Sequence, residues 1–89
     1  MPINRNAMIR IFRIDKALKN QSRYYNIDDL LNFVNLGLDK KVSRRQLFED
    51  LRFMENEPPF YAPIERTMID GRKRYRYSDP TYSIFNSFL

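Results

Sequence analysis

The sequence predicts an α+β domain in which three short helices precede a two-stranded β-hairpin. Apolar residues recur at helical spacing in three separate stretches before residue 57, and each stretch opens on a side chain suited to capping. After them, Asp70-Gly71 is the strongest hairpin signal in the chain, a two-residue turn that needs positive φ.

The first helix is expected to start from Asn4 or Asn6 as cap and to run to about Lys19. Ala7, Ile11, Ile14 and Leu18 form its apolar stripe, and Arg10, Arg13 and Lys16 line another side. That basic row is either solvated or phosphate-bound. After the polar break "NQSRYY", Asn26 caps a second helix whose first turn carries Asp28 and Asp29, favourably placed against the helix dipole. Ile27, Leu30, Leu31 and Val34 should face inward, and Gly37 is the expected left-handed stop.

"VSRRQLFEDLRFM" at 42–54 then carries a full helix-start signature. Ser43 caps, Gln46 three residues on would close a capping box, and Val42 against Leu47 forms a hydrophobic staple. Steps of about 100° per residue put Leu47, Leu51 and Met54 on the buried stripe. Arg45, Glu49, Arg52 and Asn56 point the opposite way, flanked by Gln46 and Phe53. "ENEPP" ends this helix, because proline cannot donate and restricts the residue before it.

Counting outward from Asp70-Gly71 pairs Ile69 with Arg72, Met68 with Lys73, Thr67 with Arg74, Arg66 with Tyr75, Glu65 with Arg76 and Ile64 with Tyr77. Ile64 and Tyr77 then share the core side, and basic residues crowd the far end. The closing "TYSIFNSFL" is apolar and reads as a segment that leans on something.

Eighty-nine residues with seven Phe and six Tyr supply one compact core and no second one. The chain has neither Cys nor His, which removes disulfides, thiolate chemistry, the usual zinc ligands and the Cys/His and Ser/His pairs of nucleophilic catalysis. Only two glycines are present, so a phosphate-cradling glycine loop is not available. Glu49 and Asp50 are adjacent on a helix and do not face each other, which argues against an acid–base pair. The expectation is no catalytic residue, no metal, no cofactor and no enzyme. With no signal-peptide profile and no apolar run near the ~20 residues that span a bilayer, a cytoplasmic protein without a membrane partner is expected.

The net charge of +5 invites a polyanion. Residues 1–20 carry five basic and one acidic side chain and residues 58–89 five and three, whereas 21–42 are balanced and 43–57 are net minus one. Three helices, a short turn before the third, and a hairpin are the order of a winged helix-turn-helix with a two-stranded wing. That fold delivers its third helix to the DNA major groove and lays the wing on phosphates.

Several residues also carry a family resemblance. "VSRRQLFEDL" resembles the recognition-helix motif of deoxyribose-repressor (DeoR) type winged helices. The run from "RIDKALKN" to "IDGRKRYRYSDPTYSI" is similar to the amino-terminal domain of bacterial transcriptional regulators that carry a WYL domain; it covers roughly residues 4–85. The resemblance implies double-stranded DNA as partner and Ser43, Arg44, Arg45 and Gln46 as DNA-meeting positions. Glu49 and Arg52 join them on the outward face, and Arg66, Arg72, Lys73 and Arg74 form the wing contacts. Phe48 and Glu49 depart from the arginines common in that motif; a carboxylate at Glu49 either accepts from cytosine or repels phosphate. Residues 1–79 are taken as the DNA-binding domain and 80–89 as an exit toward a WYL domain beyond Leu89, through which a homodimer would form. The 89 residues would then be a fragment or a cut-down regulator.

Plainer roles stand beside these. Ser43 and Gln46 serve capping alone, Arg44 and Arg45 are a solvated helix start, wing charge protects a sheet edge, and Tyr24, Tyr25, Tyr75 and Tyr77 pack at the core or its rim, with stacking on nucleic acid as their alternative role. A winged helix used for protein contacts is the rival function. For the third helix, Leu51→Ala is expected to destabilise the domain by about 2–5 kcal/mol, read in thermal melts; an unchanged melt would reassign the inner face.

Overall fold

A computed structural model describes residues 5–88. Its elements are α1 (Arg5–Leu18), β1 (Tyr25–Asn26), α2 (Ile27–Asn35), α3 (Arg44–Asn56), β2 (Ile64–Ile69), β3 (Arg72–Tyr77) and a closing 3-10 helix (Ile84–Phe88). The three helices and the hairpin appear as expected. A third, two-residue strand joins them, giving an antiparallel sheet of order β1-β3-β2. The polar composition of "NQSRYY" hides β1, because Tyr25 and Asn26 become a strand only by pairing with Tyr75 and Arg74 of a distant segment.

In α1, Ala7, Ile11, Ile14 and Leu18 are all buried. Asn6 is already inside the helix and so is not its cap; Asn4 lies outside the described residues. The row Arg10, Arg13 and Lys16 is not simply solvated, because two of its members bond within the fold. Arg10 donates from Nε to Asp50 of α3 at 2.7 Å and from Nη2 at 3.2 Å, a fork that ties the first helix to the third. Arg13 donates to the carbonyls of Val34 (2.9 Å) and Leu36, satisfying the end of α2. Only Lys16 stays exposed.

Asn26 caps α2 by accepting from the amide of Asp29 at 2.8 Å, and Leu30 and Val34 are fully buried with Ile27 and Leu31 packed against the core. Past the C-cap Leu36, Gly37 adopts φ +72, the left-handed geometry that glycine enters without steric cost. The turn to α3 is clamped by Asn35. Its Oδ1 accepts from the Val42 amide at 2.7 Å and its Nδ2 donates to the Val42 carbonyl at 3.2 Å. A side chain thus completes backbone bonding across the turn and sets the entry of α3.

Ser43 caps α3, with Oγ accepting from the Gln46 amide at 3.0 Å. The capping box does not close: the Gln46 side chain donates to Asp50 at 2.9 Å and runs along the helix instead of back to Ser43. The buried Asp50 carboxylate, already drawing Arg10, accepts from the Gln46 side-chain amide and so turns that side chain along the helix, away from the Ser43 N–H. Leu47, Leu51 and Met54 fill the core. Phe53, expected on the outward flank, is partly buried and meets Phe60 edge-on at 5.9 Å between ring centroids.

All six hairpin pairs have the register counted from the turn. Asp70 (φ +53) and Gly71 (φ +75) both take positive φ, as a type I′ turn requires. Strand β3 is anchored at its end by a buried hydrogen bond, in which the Tyr77 hydroxyl donates to Asp15 Oδ1 at 2.7 Å. Asp15, 0 % exposed, also accepts from the Ile84 amide at 3.0 Å and the Ser83 hydroxyl at 2.9 Å. The apolar tail therefore leans on α1 of its own chain, with Ile84 fully buried and Phe85 against Phe12 at 5.0 Å between centroids.

Burial, reinforced by the bond to Asp15, pushes the Tyr77 hydroxyl well above its ordinary range. The unfolded chain therefore gives up this proton first, near pH ~10, and the stability from the neutral hydroxyl, complete below that pH, is lost as pH rises further. Tyr77→Phe is expected to cost about 1–3 kcal/mol near neutrality and to flatten the alkaline limb; denaturant titrations at neutral and alkaline pH would check both.

Candidate nucleic-acid interface

The outward surface of α3 follows from its inward stripe. With Leu47, Leu51 and Met54 buried, Arg45, Glu49, Arg52 and Asn56 are exposed. The Arg45 side chain is 90 % exposed and meets Glu49 one turn on at 3.4 Å, a solvated pair that water and salt readily exchange. Arg52 forms no ion pair among the described residues. Arg44, Arg45, Phe48, Glu49 and Arg52 together line a shallow open groove. Phe48, 38 % exposed, is the aromatic on this otherwise polar surface, and helical spacing puts it on the flank shared by Arg44 and Glu55.

That flank is stitched to the wing at two places. Near the end of α3, Arg66 of β2 grips Glu55 with both terminal nitrogens, at 2.8 and 2.9 Å. The hydrogen bond to Glu55 raises the Arg66 pKa further, against the opposing effect of burial. At the front of α3, Arg44 bonds Asp28 at the start of α2, and the other oxygen of Asp28 accepts from Arg72 of the wing at 2.8 Å. One carboxylate therefore gathers an arginine from α3 and one from β3, residues far apart in sequence.

The pleat divides the wing basics. Ladder partners share a face and successive residues alternate, so Lys73 lies with Met68, Arg66 and Tyr75, while Arg72 and Arg74 lie on the reverse with Thr67 and Ile69. Lys73 is exposed; Arg74 is half-buried, and its buried Nε has no hydrogen-bond partner among the described residues. Of the site residues expected from sequence, Arg44 and Arg72 are brought together and Arg45, Glu49 and Arg52 share the open face. Ser43 and Gln46 do capping and helix-surface work, and Arg66 is engaged by Glu55. Sequence reasoning missed Asp28 as a member of this cluster. Its only signal was a carboxylate in a first turn, which the helix dipole already explains.

Other basic residues are occupied by aromatic rings. The Arg76 guanidinium lies 3.9 Å from the Tyr24 ring centroid and that of Arg23 lies 4.1 Å from Tyr25. Among the described residues no cluster of three or more His, Cys, Asp or Glu side chains is suited to hold a metal, and no helix is long and apolar enough to cross a membrane.

Three helices, a clamped turn before the third, and a hairpin packed beside it define a winged helix domain. Residues 6–78 match the family model of the N-terminal winged helix domain of WYL domain-containing proteins, and the chain belongs to that family. No curated protein and no solved structure matches the chain.

Proposed function

We propose that this domain binds duplex DNA in a sequence-dependent way as the reading head of a bacterial transcriptional regulator, with α3 in the major groove and the wing on phosphates. The observation that carries the reading is the convergence of Arg44 and Arg72 beside a fully open Arg45, which gives helix and wing one common basic edge. Family membership supports the same reading. Arg45, Glu49 and Arg52 are the side chains offered to base edges; Ser43 and Gln46 hold the helix start that carries them, and Arg66, Arg72, Lys73 and Arg74 offer wing charge.

A protein-contact role is favoured by the exposed Phe48 and Met68, and ionic strength separates the two. Phosphate neutralisation releases counterions and gives a steep inverse dependence of affinity on salt. Apolar docking on a protein does not.

In the regulator, a complete protein that carried a WYL domain after this head would supply the effector response and a homodimer contact. Within the head itself, replacing Arg72, Lys73 and Arg74 together by alanine is expected to weaken all duplexes about equally and to flatten the salt slope, because phosphates carry no sequence information. An unchanged slope would remove the wing from the interface. Arg45→Ala is expected to lower affinity for a selected site far more than for random duplex, by about 1–3 kcal/mol of lost discrimination, with the melt nearly unchanged. Titration of both duplexes after binding selection decides it: equal losses would make Arg45 a phosphate contact, and no loss would favour the protein-contact role.

A further inference from the structure

The basic cluster shared by α3 and the wing is centred on an acid. Asp28 stands in the first turn of α2, and its two oxygens accept separately from Arg44 of α3 and Arg72 of the wing. All three side chains are about half exposed, at 46 % for Asp28, 57 % for Arg44 and 52 % for Arg72, so a ligand approaching from solvent can reach the arginines without displacing the acid. Each guanidinium has five N–H donors, and the bonds to Asp28 draw on one nitrogen of each, Nη2. The remaining donors stay available to phosphate oxygens.

We infer that Asp28 is a positioning residue of the nucleic-acid face, holding Arg44 and Arg72 together before a phosphate arrives. The inference rests on the duplex-binding reading above. Two guanidinium groups on separate elements repel each other and carry long, flexible stems, so without the carboxylate they splay apart and must be ordered by the ligand itself. Ordering them in advance removes that cost from binding. The opposing effect is repulsion between Asp28 and phosphate. Solvent and salt screen it, because the acid is half exposed and its charge is already shared by two cations. Preorganisation wins on this comparison, which gives a prediction opposite in sign to that from net charge.

Asp29 supplies the control. It occupies the same first turn, carries the same charge and pairs with Arg23 at 3.2 Å, not with an arginine of α3 or of the wing. Both Asp28→Ala and Asp29→Ala remove one negative charge and one favourable dipole contact. Asp29→Ala is expected to bind duplex as tightly as the parent or more tightly, and Asp28→Ala about 3- to 10-fold more weakly than Asp29→Ala. In an Arg44→Ala, Arg72→Ala background, Asp28→Ala is expected to cause no further loss. Affinities measured across a salt series, with melts of every variant, provide the readouts. Equal strengthening by the two single variants would reduce Asp28 to a charge and overturn the inference, as would a loss that persists in the double-alanine background. A parent whose duplex affinity ignores salt would overturn the duplex reading, and this inference with it.

Discussion

The buried hydrogen bond from Tyr77 to Asp15 is the joint from which the wing hangs. Strand β3 lies in the middle of the sheet, so fixing its end against α1 fixes β2 on one side and β1 on the other. Through Ser83 and Ile84 the same carboxyl holds the returning tail. A buried polar group of this kind costs free energy unless fully bonded, and Asp15 meets that condition with three partners, one from β3 and two from the tail. The position of the hairpin beside α3 follows from this joint together with the pairing of Arg66 and Glu55.

The helix that the wing accompanies is held just as firmly. Its inner stripe enters the one core available to a chain of this size, Asn35 closes the turn before it, and Arg10 grips Asp50 from α1. Burial of the stripe is non-directional, and the two polar contacts fix how the helix sits on the core. They leave the outward face of α3 free of structural duty, which is what an exposed reading surface requires.

Charge is divided by the same logic. Much of the net positive charge is spoken for within the fold: Arg10 and Arg13 hold helices, Arg66 holds the wing, and Arg76 lies over Tyr24. Two acids of 43–57 are taken up by the fold, Asp50 by Arg10 and Glu55 by Arg66, while Glu49 stays on the exposed face of α3 beside Arg45. Arg44, Arg45, Arg52, Arg72 and Lys73 are among the basic residues left exposed, and all five lie on α3 and the wing.

The sequence by itself determined whatever depends on neighbours a few residues away. Helical spacing assigned Leu47, Leu51 and Met54 to the core, Asn26 and Ser43 were legible as caps, and Asp70-Gly71 fixed the entire hairpin register, since a two-residue turn permits one alignment. Tertiary structure decided what depends on partners far along the chain. Asp15 finds its partners in β3 and the tail, the Gln46 side-chain amide donates to Asp50 instead of closing its box, and β1 exists only because β3 passes beside it. The candidate site divides the same way. Arg45, Glu49 and Arg52 share a helix face by period alone, but the meeting of Arg44 with Arg72 at Asp28 depends on how α2, α3 and the wing pack. Local periodicity carries no information about that packing.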